Sequence, residues 1–186
     1  MSTVKRLVNL FRRNVTHRHY QEIHVETVLN PEVFNTLLDY AKVHRETMLM
    51  LTGPYEPWIK ARIQAENITD KNYIQALTEK YAILATATDN FGLHVHLFHP
   101  QSIQVPSFKW QFSKIVQALQ FITDLGFKIR DFAPGWWGYN MDSVRACFYA
   151  GIKRFHYDGL QNLHSYEDME YVKVWRSCDD FQLVGA

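Results

Sequence analysis

The chain predicts an α/β fold built on parallel strands, and three observations carry that expectation. β-type alternation and helical stripes take turns from about residue 20 to about residue 157. Strands separated by helix-length segments run parallel and are joined by right-handed crossovers, in an open sheet or a barrel. The 186 residues fit one domain. A complete eightfold barrel takes roughly 250 residues, so a barrel here is reduced or irregular. Hydrophobic residues at 47% and charged residues at 21% are ordinary for a globular protein with a full core.

The elements follow in order. Residues 2–13 put Val4, Leu7, Val8 and Phe11 on one stripe with basic residues around it, which predicts a helix packed on the domain. Over residues 20–27, Ile23 and Val25 alternate with His24 and Glu26, a strand with one polar face. Asn30 and Pro31 start a helix, since Asn caps and Pro is tolerated at the first position; Val33, Leu37, Leu38 and Ala41 are its buried stripe. Residues 47–51 form a short apolar run closed by Thr52, Gly53 and Pro54, a buried strand ending in a turn. Helices are expected at 57–65, facing inward through Trp58, Ile59 and Ile63, and at 70–88, through Ile74, Leu77, Tyr81 and Leu84.

In residues 91–98, Leu93, Val95 and Leu97 alternate with His94, His96 and Phe98, the period of a two-faced strand. A helix over 107–125 stops at Gly126, and 127–132 is the next strand. It leads into Ala133, Pro134, Gly135, Trp136, Trp137, Gly138 and Tyr139. Residues 141–150 are a helix ended by Gly151, 153–157 a strand, 158–170 a loop, and 171–175 a last strand. No internal repeat or linker divides the chain, so 1–186 is expected to be a single domain.

Composition narrows the function classes. A net charge of +1 gives no electrostatic reason to expect nucleic acid or an acidic membrane surface as partner. Cys147 and Cys178 are too few for a disulfide framework, so reduced thiols in the cytoplasm are the simplest expectation. No apolar run has the length of a membrane span, and residues 4–11 do not resemble a signal peptide. The aromatic residues, 12 Phe, 10 Tyr and 5 Trp, fall partly near turns, where they line clefts for flat or sugar-like ligands or serve simply as large core side chains.

The chemistry gathers at the carboxyl ends of the strands, where parallel α/β folds place it. Those ends carry His24 and Glu26, then Thr52, then His94 and His96, then Asp131 with the Trp136–Trp137 turn, then His156, Asp158 and His164. His94 and His96, at i and i+2 on one strand, project side by side, and neutral imidazole suits Zn²⁺ and its first-row neighbours. A strand that is merely polar on one side is the plain alternative.

Three stretches resemble the polysaccharide deacetylase family (carbohydrate esterase family 4, the NodB-homology domain). Residues 46–53, Glu-Thr-Met-Leu-Met-Leu-Thr-Gly, are similar to its second strand. Residues 91–97, Phe-Gly-Leu-His-Val-His-Leu, are similar to the stretch that supplies the metal's histidines. Residues 132–158, from Phe-Ala-Pro-Gly-Trp to Phe-His-Tyr-Asp, are similar to its Pro-containing turn, helix and following strand. The resemblance covers about residues 20–160.

It implies a distorted (β/α) barrel of fewer than eight parallel strands. It also implies one divalent metal, Zn or alternatively Co, Ni or Fe, and hydrolysis of an acetamide on an N-acetylated sugar. Carried onto this chain, the ligands are His24 or Glu26 with His94 and His96. Glu26, Asp131 and a late His164 serve acid–base roles; Trp136, Trp137, Tyr139, Arg130 and Asp158 meet the substrate. The family's Asp pair is absent, with Ile23-His24-Val25-Glu26-Thr27 in its place. The family's second His position holds Phe98, so His96 substitutes. The turn's Arg position holds Phe132, and Arg130, two residues earlier, is the residue available to compensate. Three functions are open at this point: a metal-dependent N-deacetylase acting on a carbohydrate or related amide, a degenerate glycan-binding relative, and an interaction protein using Trp136, Trp137 and Tyr139.

Overall fold

In the computed structural model, which describes residues 20–66, 69–98, 104–159 and 168–184, strands and helices alternate as expected. The order is β1 (Glu22–Val25), α1 (Pro31–Val43), β2 (Met48–Thr52), α2 (Pro57–Glu66), α3 (Asp70–Leu84), β3 (Phe91–Val95) and α4 (Phe108–Asp124). Then come β4 (Asp131–Pro134), a 3₁₀ turn (Gly135–Trp137), α5 (Met141–Tyr149), β5 (Arg154–Tyr157), β6 (Glu170–Lys173), β7 (Ser177–Asp179) and a final 3₁₀ turn (Asp180–Leu183). All strand pairs are parallel, in the order β6-β5-β4-β3-β2-β1-β7.

Local chemistry explains the boundaries. Asn30 accepts from the amides of Glu32 and Val33 to cap α1. Ser107 caps α4, and Asn140 forms a reciprocal capping box with Ser143 on α5. Gly126 (φ 92) and Gly151 (φ 85) end α4 and α5 in the left-handed region, where a Cβ is disfavoured.

Register sorts the side chains into two faces. Ile23 and Leu49 are register partners in one row and Leu51, Leu93, Phe132 and Phe155 in the next, all fully buried on the helix-covered face. Against them pack Phe34, Leu37 and Ala41 from α1, Leu77, Tyr81 and Leu84 from α3, and Ile115 and Ile122 from α4. The opposite face carries Glu22, His24, Met50, Thr52, Gly92, His94, Asp131 and Arg154.

The sheet curls round on itself so that this second face becomes an interior. Val174 N–H donates to the Tyr157 carbonyl on the β5 side (3.0 Å), and two residues later the Arg176 carbonyl accepts from Gln21 N–H on the β1 side (2.9 Å). One run of chain therefore bonds to both edges, β6 to β5 and β7 to β1. An open, flat sheet would hold those edges several strand spacings apart.

Several expectations need correction. Residues 127–130 are not strand; β4 begins at Asp131 and continues through Pro134, because its pairing with β3 runs from Phe132 to Pro134. On α3, Tyr73 rather than Ile74 turns inward, and Ile74 is partly exposed. The last predicted strand, 171–175, is found at Glu170–Lys173, paired with β5, and a further, unanticipated strand at Ser177–Asp179, which carries no alternating apolar signal, pairs with β1. The helix predicted at 2–13 lies outside the described residues, as does His164. Among the described residues no helix is long and apolar enough to cross a membrane.

Candidate metal centre

The interior's carboxylate and imidazole groups converge where β1 and β3 end. Glu26 directly follows β1, and its neighbours are tied on both sides. The Val25 carbonyl accepts from Thr52 Oγ1 (2.8 Å), and the Asp180 carboxylate accepts from Thr27 N–H and from Thr27 Oγ1 (2.9 Å). The strand end is thereby held, and the Glu26 carboxylate turns toward β3.

His94 and His96 meet it there. His94 Nε2 lies 3.0 Å and His96 Nε2 3.1 Å from the same oxygen, Glu26 Oε1. One ligand atom from each of the three residues falls within 4.8 Å of the other two, and all three residues are buried.

The remaining imidazole nitrogens are occupied. His94 Nδ1 donates to the Ala133 carbonyl (3.1 Å). Glu56 Oε2 accepts from both His96 Nδ1 (2.8 Å) and the His96 backbone N–H (3.2 Å). Glu56 is buried in the turn after β2, with Lys114 Nζ 3.8 Å from its other oxygen. A ring nitrogen bound to a carbonyl or carboxylate fixes the tautomer and leaves Nε2 to ligate, as in most histidine metal sites. His96 Nε2 is indeed buried without a hydrogen bond among the described residues. One carboxylate and two imidazoles suit Zn²⁺ and other first-row divalent ions. The donor set fits a cation.

Electrostatics agree with that fit. Burial opposes ionisation of Glu26, but the flanking His94 and His96 rings outweigh it and hold the carboxyl down to about 2. Burial, with the nearby His24, pulls His94 down to about 4. Burial also works against a charge on His96, but Glu26 and Glu56 flank the ring and raise it.

A second chain of groups runs deeper through the interior. His24 meets Asp179 (3.3 Å) and Glu22 (2.8 Å), Glu22 meets His156 (2.5 Å), and His156 meets Asp131 (3.0 Å). Arg154 closes it by binding Asp131 (2.7 Å). Charge sign alternates along this ladder, so each buried ion has a partner on either side. His24 therefore stands beside the metal group rather than within it: its nitrogens go to Glu22 and Asp179, and its ring stacks on His94 at 4.2 Å.

The other anticipated site residues take the following places. Asp131, with both oxygens engaged by Arg154 and one shared with His156, belongs to the ladder. Arg130 is exposed at the amino end of β4, opposite the metal group; Arg154, on the neighbouring strand, is the arginine that reaches Asp131. Tyr139 is buried against Phe155 and donates its hydroxyl to Asp158 (3.1 Å). Trp136 lies 4.1 Å from the His96 ring and Trp137 5.4 Å from His24, ring centre to ring centre. Both tryptophans have φ 52, a left-handed conformation that is strained for bulky residues. Gly135 makes their position possible, since a Cβ there would overlap the His96 ring.

Glu22, Glu56, Arg154 and Asp179 were not anticipated. Glu22 shares a strand face with His24 and Glu26, and period-two spacing from Glu26 could have found it. Glu56 sits in a turn with no periodic signal.

No family model matches the sequence, and no curated protein matches it. Among solved structures, the YdjI aldolase from Escherichia coli K12 is similar over 88% of this chain and 64% of that one, at 12% identity and a TM-score of 0.35. The chain thus spans less than two thirds of that protein. A likeness this loose bears on neither fold nor activity.

Proposed function

We propose that this chain is a divergent, metal-dependent amide hydrolase of the polysaccharide-deacetylase type, acting on an N-acetylated amino sugar. The observation that carries it is the convergence of two imidazole nitrogens on one carboxylate oxygen, with both opposite nitrogens already bonded. The acid comes from the end of the first strand and the histidines from the end of the third, the order that the resemblance implies.

Glu26, His94 and His96 would hold the ion, with Zn²⁺ the first candidate and Co²⁺, Ni²⁺ or Fe²⁺ alternatives. A divalent ion there supplies Lewis acidity, polarising a carbonyl and acidifying water. The chain's own residues then have separate tasks. Glu56 and the Ala133 carbonyl fix the two rings. Trp136 and Trp137 shield the histidines from bulk water, which strengthens electrostatic interactions beneath them. His164 remains the acid for the leaving amine on the strength of the resemblance.

One observation favours a second reading, a glycan-binding protein without turnover. Glu26 occupies the ligand position, and the family's additional Asp, its general base, has no counterpart in this strand. Losing a general base costs roughly 10²–10⁴-fold in rate. Acetate release from a panel of N-acetylated oligosaccharides, after loading with Zn²⁺, Co²⁺ or Ni²⁺, separates the two. Turnover abolished by His94→Ala supports the hydrolase; binding without acetate release supports the second reading.

A further inference from the structure

Where the chain crosses from β6 to β7 the surface opens into a cleft of about 450 Å³, walled by Tyr20, Trp137, Asp158, Trp175, Arg176 and Ser177. The volume is in the range of small-molecule sites. Three of these walls are aromatic, and they are held in different ways. Trp137 is fixed in its left-handed turn. Trp175 is 76% exposed, with the Lys173 ammonium 4.4 Å from its ring centre.

The polar walls are also placed. Asp158 accepts from the buried Tyr139 hydroxyl, which orients its carboxylate. The Arg176 backbone is pinned, its carbonyl accepting from Gln21 and Glu22, while its guanidinium has no ion pair among the described residues. Glu46, in an adjoining depression that shares Arg176, lies 3.8 Å from His44 Nδ1. Ring contacts join the cleft to the metal group, from Trp137 to His24 (5.4 Å) and from His24 to His94 (4.2 Å).

We infer that this cleft is a saccharide subsite selective for an acidic sugar unit. The apolar face of a pyranose packs on the indoles of Trp137 and Trp175, and Asp158 accepts from its hydroxyls. A sugar carboxylate pairs with the Arg176 guanidinium, whose planar fork matches it, and Lys173 adds a second positive charge beside Trp175. This deepens the deacetylase reading by naming the unit next to the N-acetylated one, and it rests on that reading only for where the acetamide lies.

Calorimetric titration of the full chain with two tetrasaccharides tests it, one of alternating glucuronate and N-acetylglucosamine, the other of N-acetylglucosamine alone. At about 0.15 M salt, the acidic tetrasaccharide is expected to bind about tenfold more tightly. Arg176→Gln should reduce that preference to about twofold or less, and Trp175→Ala should weaken both ligands about tenfold. Both side chains are exposed, so neither change threatens the fold. Chelator-treated protein should keep the preference, because no wall of the cleft belongs to the Glu26–His94–His96 group. Absence of metal therefore counts against the deacetylase reading alone. Equal affinity for the two ligands, no binding of either, or a preference that survives Arg176→Gln overturns the subsite.

Discussion

His94 Nε2 stands 3.0 Å from Glu26 Oε1 while His94 Nδ1 donates to the Ala133 carbonyl. With the ring proton on Nδ1 and burial disfavouring a second one, His94 presents the Nε2 lone pair to the Glu26 carboxylate. Two acceptors at that separation repel, and a cation between them removes the conflict.

Purified protein should therefore carry about one divalent ion per chain. Elemental analysis checks this directly. Glu26→Ala and His94→Ala should each abolish stoichiometric binding. Metal at a hundredfold excess over its Kd should stabilise the fold by about 2.7 kcal/mol, visible as a higher Tm. Unchanged metal content in both variants would remove the site.

Glu56 touches no proposed ion, yet it holds His96 twice. Glu56→Gln should weaken metal affinity about 10–100-fold without changing the number of ions bound. Competition against a chromophoric chelator measures it. Wild-type affinity in this variant would show that His96 is oriented by something else.

Stability should depend on pH through the Glu22–His156 pair. Burial opposes both charges, but their mutual hydrogen bond, with those to His24 and Asp131, prevails. Glu22 falls from 4.5 to about 2, so its contribution is complete above 4.5 and is lost as pH drops toward 2. His156 rises from 6.5 to about 9, so its contribution is complete below 6.5 and is lost as pH climbs through 9. Urea unfolding across pH should show a plateau between these limbs. In Glu22→Gln the acid limb should shrink and the plateau should drop by about 3–5 kcal/mol. An unaltered profile would mean that the pair is not buried as described.

Two glycines should respond differently to the same added methyl. In Gly135→Ala the new Cβ overlaps the His96 ring, so metal affinity should fall at least about tenfold. In Gly92→Ala it meets the Met50 thioether and approaches Asp131 Cβ, so stability should fall by about 1–3 kcal/mol with metal retained. Parallel metal titrations and denaturation curves distinguish them. Identical behaviour of the two would contradict the assignment of Gly135 to the histidine pocket.

The sequence made legible what depends on one strand alone. Alternation in β1 and β3 put His24 with Glu26, and His94 with His96, on common faces, and the structure turns all four toward the interior. What depends on two strands was legible only in outline: His24 and Glu26 stood as alternatives beside His94 and His96, and it is Glu26 that meets them. Arg130 and Arg154 are equivalent candidates for Asp131 until the β4–β5 register places Arg154 opposite Asp131. Glu56 and Asp180 act from turns, where no periodicity marks which way a side chain points. The added strand at Ser177–Asp179 pairs with β1 because the sheet curves, and local residue pattern does not encode curvature.

The crossing between β6 and β7 has a consequence for how the molecule assembles. The bond that completes the circuit joins Gln21 to Arg176, so it forms only after β1 to β6 have all been made. Until then the concave side waits in water. Among the strand residues on that face, carboxylates and imidazoles outnumber apolar side chains such as Met50, so a half-made intermediate offers neighbouring molecules less to stick to. The same polar lining that brings Glu26, His94 and His96 together also limits the risk of that delay.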